Sequence, residues 1–249
     1  MDYMTMLKSI QAKAKNGTFD TITSESLDDY DLGGVDCPVC QNRGYVLYRK
    51  DGYDYTKECE CMNKRRFMRR IRKSGMSDML RRYTFDSYET PDASRQKVKA
   101  AAERFCEADT GWFYIAGQSG SGKTHICTAI CSRLIEKGCD VYYMEWREEF
   151  RQFKAMMNTE ELDKKIDRLK KVKILYVDDF LKGGCSDADI RLAFEIINAR
   201  YNDTKLRTIF STEATLEAVL SIDEALGSRI VERSKGFKVA APRSNWRLR

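Results

Sequence analysis

Residues 117–124 read Gly117-Gln118-Ser119-Gly120-Ser121-Gly122-Lys123-Thr124. The spacing is G-x-x-x-x-G-K-[ST], the pattern of a loop that wraps backbone amides around phosphate groups. An apolar run, Trp112–Ala116, leads into it, and a helical pattern, Thr124–Lys137, leads out. Glycines let the amides turn inward, and the helix N-terminus adds a favourable dipole. Lys123 brings a point charge to the phosphate oxygens, and the Thr124 hydroxyl is a ligand for Mg²⁺. His125, the single histidine, continues the same segment. The stretch predicts ATP and Mg²⁺ as ligands.

Such a cradle needs an acid on a second strand. Ile174-Leu175-Tyr176-Val177 is apolar and ends in Asp178-Asp179. Asp178 is expected to hold Mg²⁺ through water, and Asp179 to orient or deprotonate the attacking water. Further strands are expected at Val141–Glu145, Thr208–Ser211 and Phe237–Ala240. Helical patterns fall at Ser94–Asp109, Glu148–Met157 and Ser186–Tyr201, the last opened by the capping box Ser186-x-x-Asp189. Strand–helix alternation of this kind predicts a parallel sheet covered on both faces. Val141–Glu145 lies between the cradle strand and the acid strand in sequence, and Thr208–Ser211 follows. That arrangement favours the class with an extra strand inserted between those two in space, a five-stranded sheet of order 5-1-4-3-2. Ser211-Thr212-Glu213 would then stand near the terminal phosphate as a sensor. Arg229, in Gly227-Ser228-Arg229-Ile230, falls where ring-forming ATPases place an arginine that reaches into a neighbour's site; a surface salt bridge is the plain alternative.

Upstream the texture differs. Cys37-Pro38-Val39-Cys40 and Cys59-Glu60-Cys61 are separated by eighteen residues. Gly44–Tyr48 and Asp51-Gly52 suggest two strands and a turn between them. Four thiolates meeting at a hairpin base give tetrahedral Zn²⁺. The other five of the nine cysteines are expected to be buried apolar fillers. From Met62 to Arg82 nine bases face one acid. This run could meet nucleic-acid phosphates, an acidic protein surface, or only solvent. Tyr142, Tyr143 and Trp146, with Arg147, Arg151 and Lys154, either stack along a single strand or belong to the core. A short amphipathic helix is expected at 3–15 and an acidic linker at 18–34.

The composition bounds the rest. The 249 residues are 42% hydrophobic and 33% charged, with a formal charge of +6. That length allows one large domain, or a medium domain plus a small one. No stretch approaches the ~18 consecutive apolar residues of a membrane span. Met1-Asp2-Tyr3 lacks a basic region followed by an apolar block, so a cytoplasmic, reducing setting is expected, without a disulfide framework.

Taken together, GQSGSGKT (117–124), ILYVDDF (174–180), TIFSTE (208–213), EALGSRIVER (224–233), CPVC…CEC and FMRRIRKSGMSDMLRRYTFDSYET (67–90) resemble the DnaC/DnaI-type AAA+ helicase loaders of the IstB-like ATP-binding superfamily, especially versions carried by phages and prophages. The resemblance covers nearly the whole chain. It implies an N-terminal zinc-binding domain over 1–82, with its basic linker helix, that engages a DnaB-type replicative helicase. It implies an AAA+ ATPase domain over 83–249 that binds ATP, self-associates in a ring or spiral and contacts single-stranded DNA. The loader opens or holds the helicase ring so that a strand can enter during replication initiation. On this resemblance Lys123 and Thr124 bind ATP–Mg²⁺, Asp178 is the metal acid, Asp179 the catalytic acid, Glu213 the sensor and Arg229 the finger acting in trans. Asp179 stands where the family usually carries glutamate, and Glu213 where it often carries asparagine. Two acids near a terminal phosphate would repel it unless Glu213 points away. The competing readings are a transposition-helper ATPase of the IstB kind and a P-loop small-molecule kinase.

Overall fold

The computed structural model describes residues 36–66, 82–243 and 245. The expected helix at 3–15, the acidic stretch at 18–34 and most of the basic run lie outside these residues. The chain divides into two units, Met1–Arg65 and Arg66–Arg249.

In the first unit, strand β1 (Tyr45–Lys50) pairs antiparallel with β2 (Tyr53–Glu58), from Tyr45 opposite Glu58 to Lys50 opposite Tyr53. Asp51 and Gly52 form the two-residue turn, with φ of 52° and 84°. Positive φ at both central residues is what the right-handed twist of a tight hairpin requires, and Asp-Gly supplies it at low cost. Every side chain of β2 is exposed. What the described part of the unit buries is Cys37, Cys40, Cys59 and Arg65, with Val39, Val46 and Cys61 partly covered.

The second unit is built on a parallel sheet of five strands: β3 (Phe113–Ala116), β4 (Val141–Glu145), β5 (Ile174–Phe180), β6 (Arg207–Thr212) and β7 (Lys238–Ala240). Their order is β4-β5-β6-β3-β7, every neighbouring pair parallel. Numbered by appearance within this sheet, that is 2-3-4-1-5, the expected order read from the other edge. Strand β3 therefore lies between β6 and the last strand of the sheet, with Tyr114 beside Lys238.

Successive strand residues point to opposite faces, and two cores result. On one face Phe113, Ile115, Val141, Tyr143, Tyr176 and Ile209 meet helices α1 (Ala93–Glu107) and α2 (Lys123–Glu136) through residues such as Phe105 and Ile130. On the other face Tyr114, Tyr142, Leu175, Val177 and Phe210 meet α3 (Trp146–Ala155), α4 (Glu160–Lys171), α5 (Asp187–Asn202), α6 (Leu216–Ile222) and α7 (Glu224–Arg233). Tyr142, Tyr143 and Trp146 are all buried. The reading of these aromatics as a stacking platform for DNA gives way to the core reading. Of the five scattered cysteines, Cys106, Cys127 and Cys131 are buried, whereas Cys139 and Cys185 are only half-buried.

The Ser186–Asp189 capping box is present. Helix α4 has no counterpart among the sequence expectations. It carries Leu162, Ile166 and Leu169 at a helical spacing and is capped by Thr159, whose side chain accepts from the Leu162 amide. Its C-terminal carbonyls meet a buried cation from α5. Arg200, fully buried, donates to the carbonyls of Leu169 and Val172 at 2.8 Å each, to Arg207 O at 2.7 Å and to Thr208 Oγ1 at 3.0 Å. Burial pulls its guanidinium down to about 9. One side chain thus joins the end of α4, the end of α5 and the start of β6.

Candidate functional site

Strand β3 ends at Ala116 and α2 begins at Lys123. The loop between them wraps one end of a cavity of ≈ 330 Å³, lined by Ser119–His125, Asp179 and Lys182 together with Tyr83, Ser87, Glu89 and Arg95. Gly120 and Gly122 have φ of 74° and 90°. Left-handed residues at alternate positions give the backbone signature of an amide nest, which binds anions. Gly122 is also the N-cap of α2, so the positive end of that helix meets the cavity. Gly117 and Gln118 do not line the cavity; their carbonyls accept from Lys123 Nζ at 2.7 and 2.9 Å. Burial pulls the Lys123 ammonium down, while Glu213 and Asp179 pull it back up.

The acid strand sits beside this loop. Thr124 Oγ1 donates to Asp178 Oδ1 at 3.4 Å, and the same carboxylate accepts from Tyr176 OH at 2.7 Å, Tyr143 OH at 3.2 Å and Ser211 Oγ. Burial raises the Asp178 carboxyl, and the hydroxyl donors oppose that rise. A buried carboxylate with its lone pairs already directed by hydroxyls is a prepared ligand for a hard cation. Sequence reasoning misses the two tyrosines in this role. Tyr176 lies two residues before Asp178, hence on the same face of β5; Tyr143 arrives only through the pairing of β4 with β5.

After Val177 the β5–β6 register shifts. Asp179 and Leu181 take φ of 52° and 61°, a backbone costing of order 1–3 kcal/mol at each non-glycine position. The turn closes with the Lys182 amide donating to Asp179 O at 3.0 Å. It places Lys182 Nζ 2.9 Å from Asp179 Oδ2 and 3.3 Å from Glu213 Oε1. The hydrogen bond to Asp179 raises the Lys182 ammonium, burial opposes it, and the Asp179 and Glu213 charges add to the rise. Glu213 therefore points toward a cation, which answers the repulsion expected from two acids.

His125 is committed to its own surroundings. Its ring stacks on Tyr83 at 4.6 Å and meets Tyr88 edge-on at 5.1 Å. Nε2 lies 3.0 Å from Thr84 O and 3.2 Å from Ser87 Oγ. It pins segment 83–88 to the first turn of α2. Arg229 is not in the cavity wall. It donates to Asn198 Oδ1 at 2.9 Å and to Ala225 O at 2.7 Å, with its guanidinium over Phe194 and Tyr201.

In the first unit the four sulfurs of Cys37, Cys40, Cys59 and Cys61 all lie within 4.8 Å of one another. Cys37 and Cys59 are 3.8 Å apart, Cys40 and Cys61 3.5 Å. A tetrahedron with Zn–S bonds of ~2.3 Å has edges of about 3.8 Å, so the donor set fits zinc. Burial works against ionising Cys40, yet the Gly44 backbone and the neighbouring thiols bring it down to about 7. Burial, with the same neighbouring thiols adding to it, raises Cys61. Asn42 Oδ1 accepts from Cys37 N and from Arg65 Nη2, fixing the turn that presents the first pair.

The sheet order and the cradle define a P-loop ATPase of the AAA+ class. More narrowly, the family model of the IstB-like ATP binding protein matches residues 55–236, and the chain belongs to that family. It is 29% identical to the phage-like element PBSX protein XkdC of Bacillus subtilis (strain 168), over 84% of this chain and 83% of XkdC. It is 26% identical to YqaM of the same strain, over 95% of this chain and 91% of YqaM. Among solved structures it is similar to the DnaC helicase loader, with a TM-score of 0.53 and 22% identity over 64% of this chain and 95% of the other. The last likeness is one of fold. Among the described residues no helix is long and apolar enough to cross a membrane.

Proposed function

We propose that this ATPase is a nucleotide-controlled helper of DNA transactions, acting in replication or transposition through two functional domains, 1–82 and 83–249. The convergence of Lys123, Thr124 and Asp179 on one cavity, with Asp178 hydrogen-bonded to Thr124 behind its wall, carries the reading. Lys123 exchanges the carbonyls of Gly117 and Gln118 for phosphate oxygens. Thr124 and Asp178 hold Mg²⁺, with Tyr143, Tyr176 and Ser211 orienting the carboxylate. Asp179 takes the proton of the attacking water. ATP supplies the phosphoanhydride bond whose cleavage resets the helper, and Mg²⁺ offsets its charge. Cys37, Cys40, Cys59 and Cys61 hold Zn²⁺, which contributes folding energy to the small unit.

The family match supports the transposition-helper reading. A specific observation supports a second one: a four-cysteine hairpin precedes, in sequence, an ATPase whose fold is similar to that of the DnaC helicase loader. On that reading the partners are a DnaB-type helicase and single-stranded DNA, and self-association lets Arg229 serve a neighbouring copy.

ATP hydrolysis measured with and without single-stranded DNA tests the common core. Stimulation is expected, and Lys123→Ala is expected to abolish nucleotide binding; unchanged affinity in that variant refutes the cradle. Micromolar binding to a DnaB-type helicase favours the loader, and its absence favours the transposition helper.

A further inference from the structure

Asp179 lines the cavity, Asp178 is buried behind it against Thr124, and Glu213 is tied to the wall through Lys182, so three carboxylates stand near the loop read above as a phosphate cradle. Lys123 feels Glu213 and Asp179 as the largest charges around it. Among the described residues, the cation that touches both of those acids is Lys182, and it lines the same cavity as Lys123 and Thr124. Its position is not incidental to the turn. The register break after Val177 and the left-handed Asp179 and Leu181 are what carry residue 182 back to the cavity. Without this ammonium, Asp179 and Glu213 would confront a terminal phosphate uncompensated. A diphosphate, which lacks that phosphate, would be little affected.

We propose that Lys182 is a positioning residue of the hydrolytic site, bridging Asp179 and Glu213 so that the terminal-phosphate end of the cradle accepts a triphosphate in preference to a diphosphate. The bridge also fixes Oδ2 of Asp179. The inference rests on the cradle reading above and extends it to a residue on the loop after β5.

The test is equilibrium binding, independent of turnover, using fluorescent ATP and ADP with Mg²⁺ on the full chain. Lys182→Met is expected to weaken ATP about tenfold, equivalent to ~1.4 kcal/mol, and ADP less than about twofold by the same measure. Lys182→Arg keeps the wild-type ratio of affinities. Lys182→Met combined with Glu213→Gln recovers most of the ATP affinity, because the uncompensated acid is gone. Glu213→Gln alone, which preserves shape, tightens ATP about threefold relative to ADP, a shift of under ~1 kcal/mol; this second variant serves if Lys182→Met fails to fold. Equal losses of ATP and ADP in Lys182→Met overturn the proposal, as does an unchanged ratio in Glu213→Gln. Wild-type protein that binds neither nucleotide would instead undo the cradle itself.

Discussion

Removing one sulfur from the small unit tests whether metal or packing holds it. In Cys40→Ser the Sγ that lies 3.5 Å from Cys61 is replaced by a hydroxyl. The described part of the unit has no apolar core to fall back on: its buried groups are cysteines and one arginine, and every side chain of β2 is exposed. A lone two-stranded hairpin is marginal in water. Structural Zn²⁺ contributes ~10–16 kcal/mol of apparent binding energy in small Cys-rich units. Even a fraction of that exceeds what the Tyr48–Tyr55 stack, centroids 5.5 Å apart, supplies at ~0.5–1.5 kcal/mol. Wild-type protein is expected to release about one zinc per chain to a colorimetric chelator. With the metal gone, or in Cys40→Ser, limited proteolysis should cut at Tyr45, Tyr48, Tyr53 and Tyr55 while the 93–240 region resists. Tyrosines that stay protected after complete metal removal would refute the argument.

Three other outcomes can be measured directly. Arg200→Leu removes the guanidinium donor from four acceptors and should lower unfolding free energy by about 3 kcal/mol; a denaturation midpoint equal to wild type would remove the arginine from the stability account. Burial, opposed by the Thr84 carbonyl and aided by Arg95, depresses His125 below its ordinary value. Its neutral form is the one the fold favours, so its contribution is intact above pH ~6.5 and is lost as pH falls toward the folded value. As the only histidine, it should account for a decline in thermal midpoint in that window, and His125→Gln should flatten it. Arg229→Ala should leave ATP affinity intact and lower turnover only at concentrations where copies associate; full turnover in the assembled protein rejects the trans role.

The cradle, the acid strand and the hairpin were legible because each is written in contiguous residues whose chemistry forces a local geometry. G-x-x-x-x-G-K-T fixes a turn and a helix start, Asp51-Gly52 fixes a two-residue turn, and paired cysteines fix a metal knuckle. Strand order followed from the placement of the acid strand relative to Val141–Glu145. Helix α4 escaped because nine of its twelve residues are charged, so its three apolar anchors read as a solvated stretch. Lys182 escaped for a different reason. Its partners are Asp179, reached through two left-handed residues, and Glu213, reached through the β5–β6 pairing; neither conformation nor pairing is encoded at 182 itself. Tyr143 likewise reaches Asp178 across strands. Segment 83–95 supplies cavity walls, Tyr83, Ser87, Glu89 and Arg95, from a region that carries no phosphate-binding pattern.

The place of β7 has a bearing on how the protein is made. Tyr114 pairs with Lys238, and the Ala241 amide donates to Ala116 O at 2.7 Å, at the root of the phosphate loop. During synthesis β3 emerges early but remains an open edge on that side until residues 238–241 have left the ribosome. The nascent ATPase therefore acquires its finished nucleotide pocket late, and a truncated translation or proteolytic product stopping before 238 would present an unpaired strand, the kind of edge that templates aggregation.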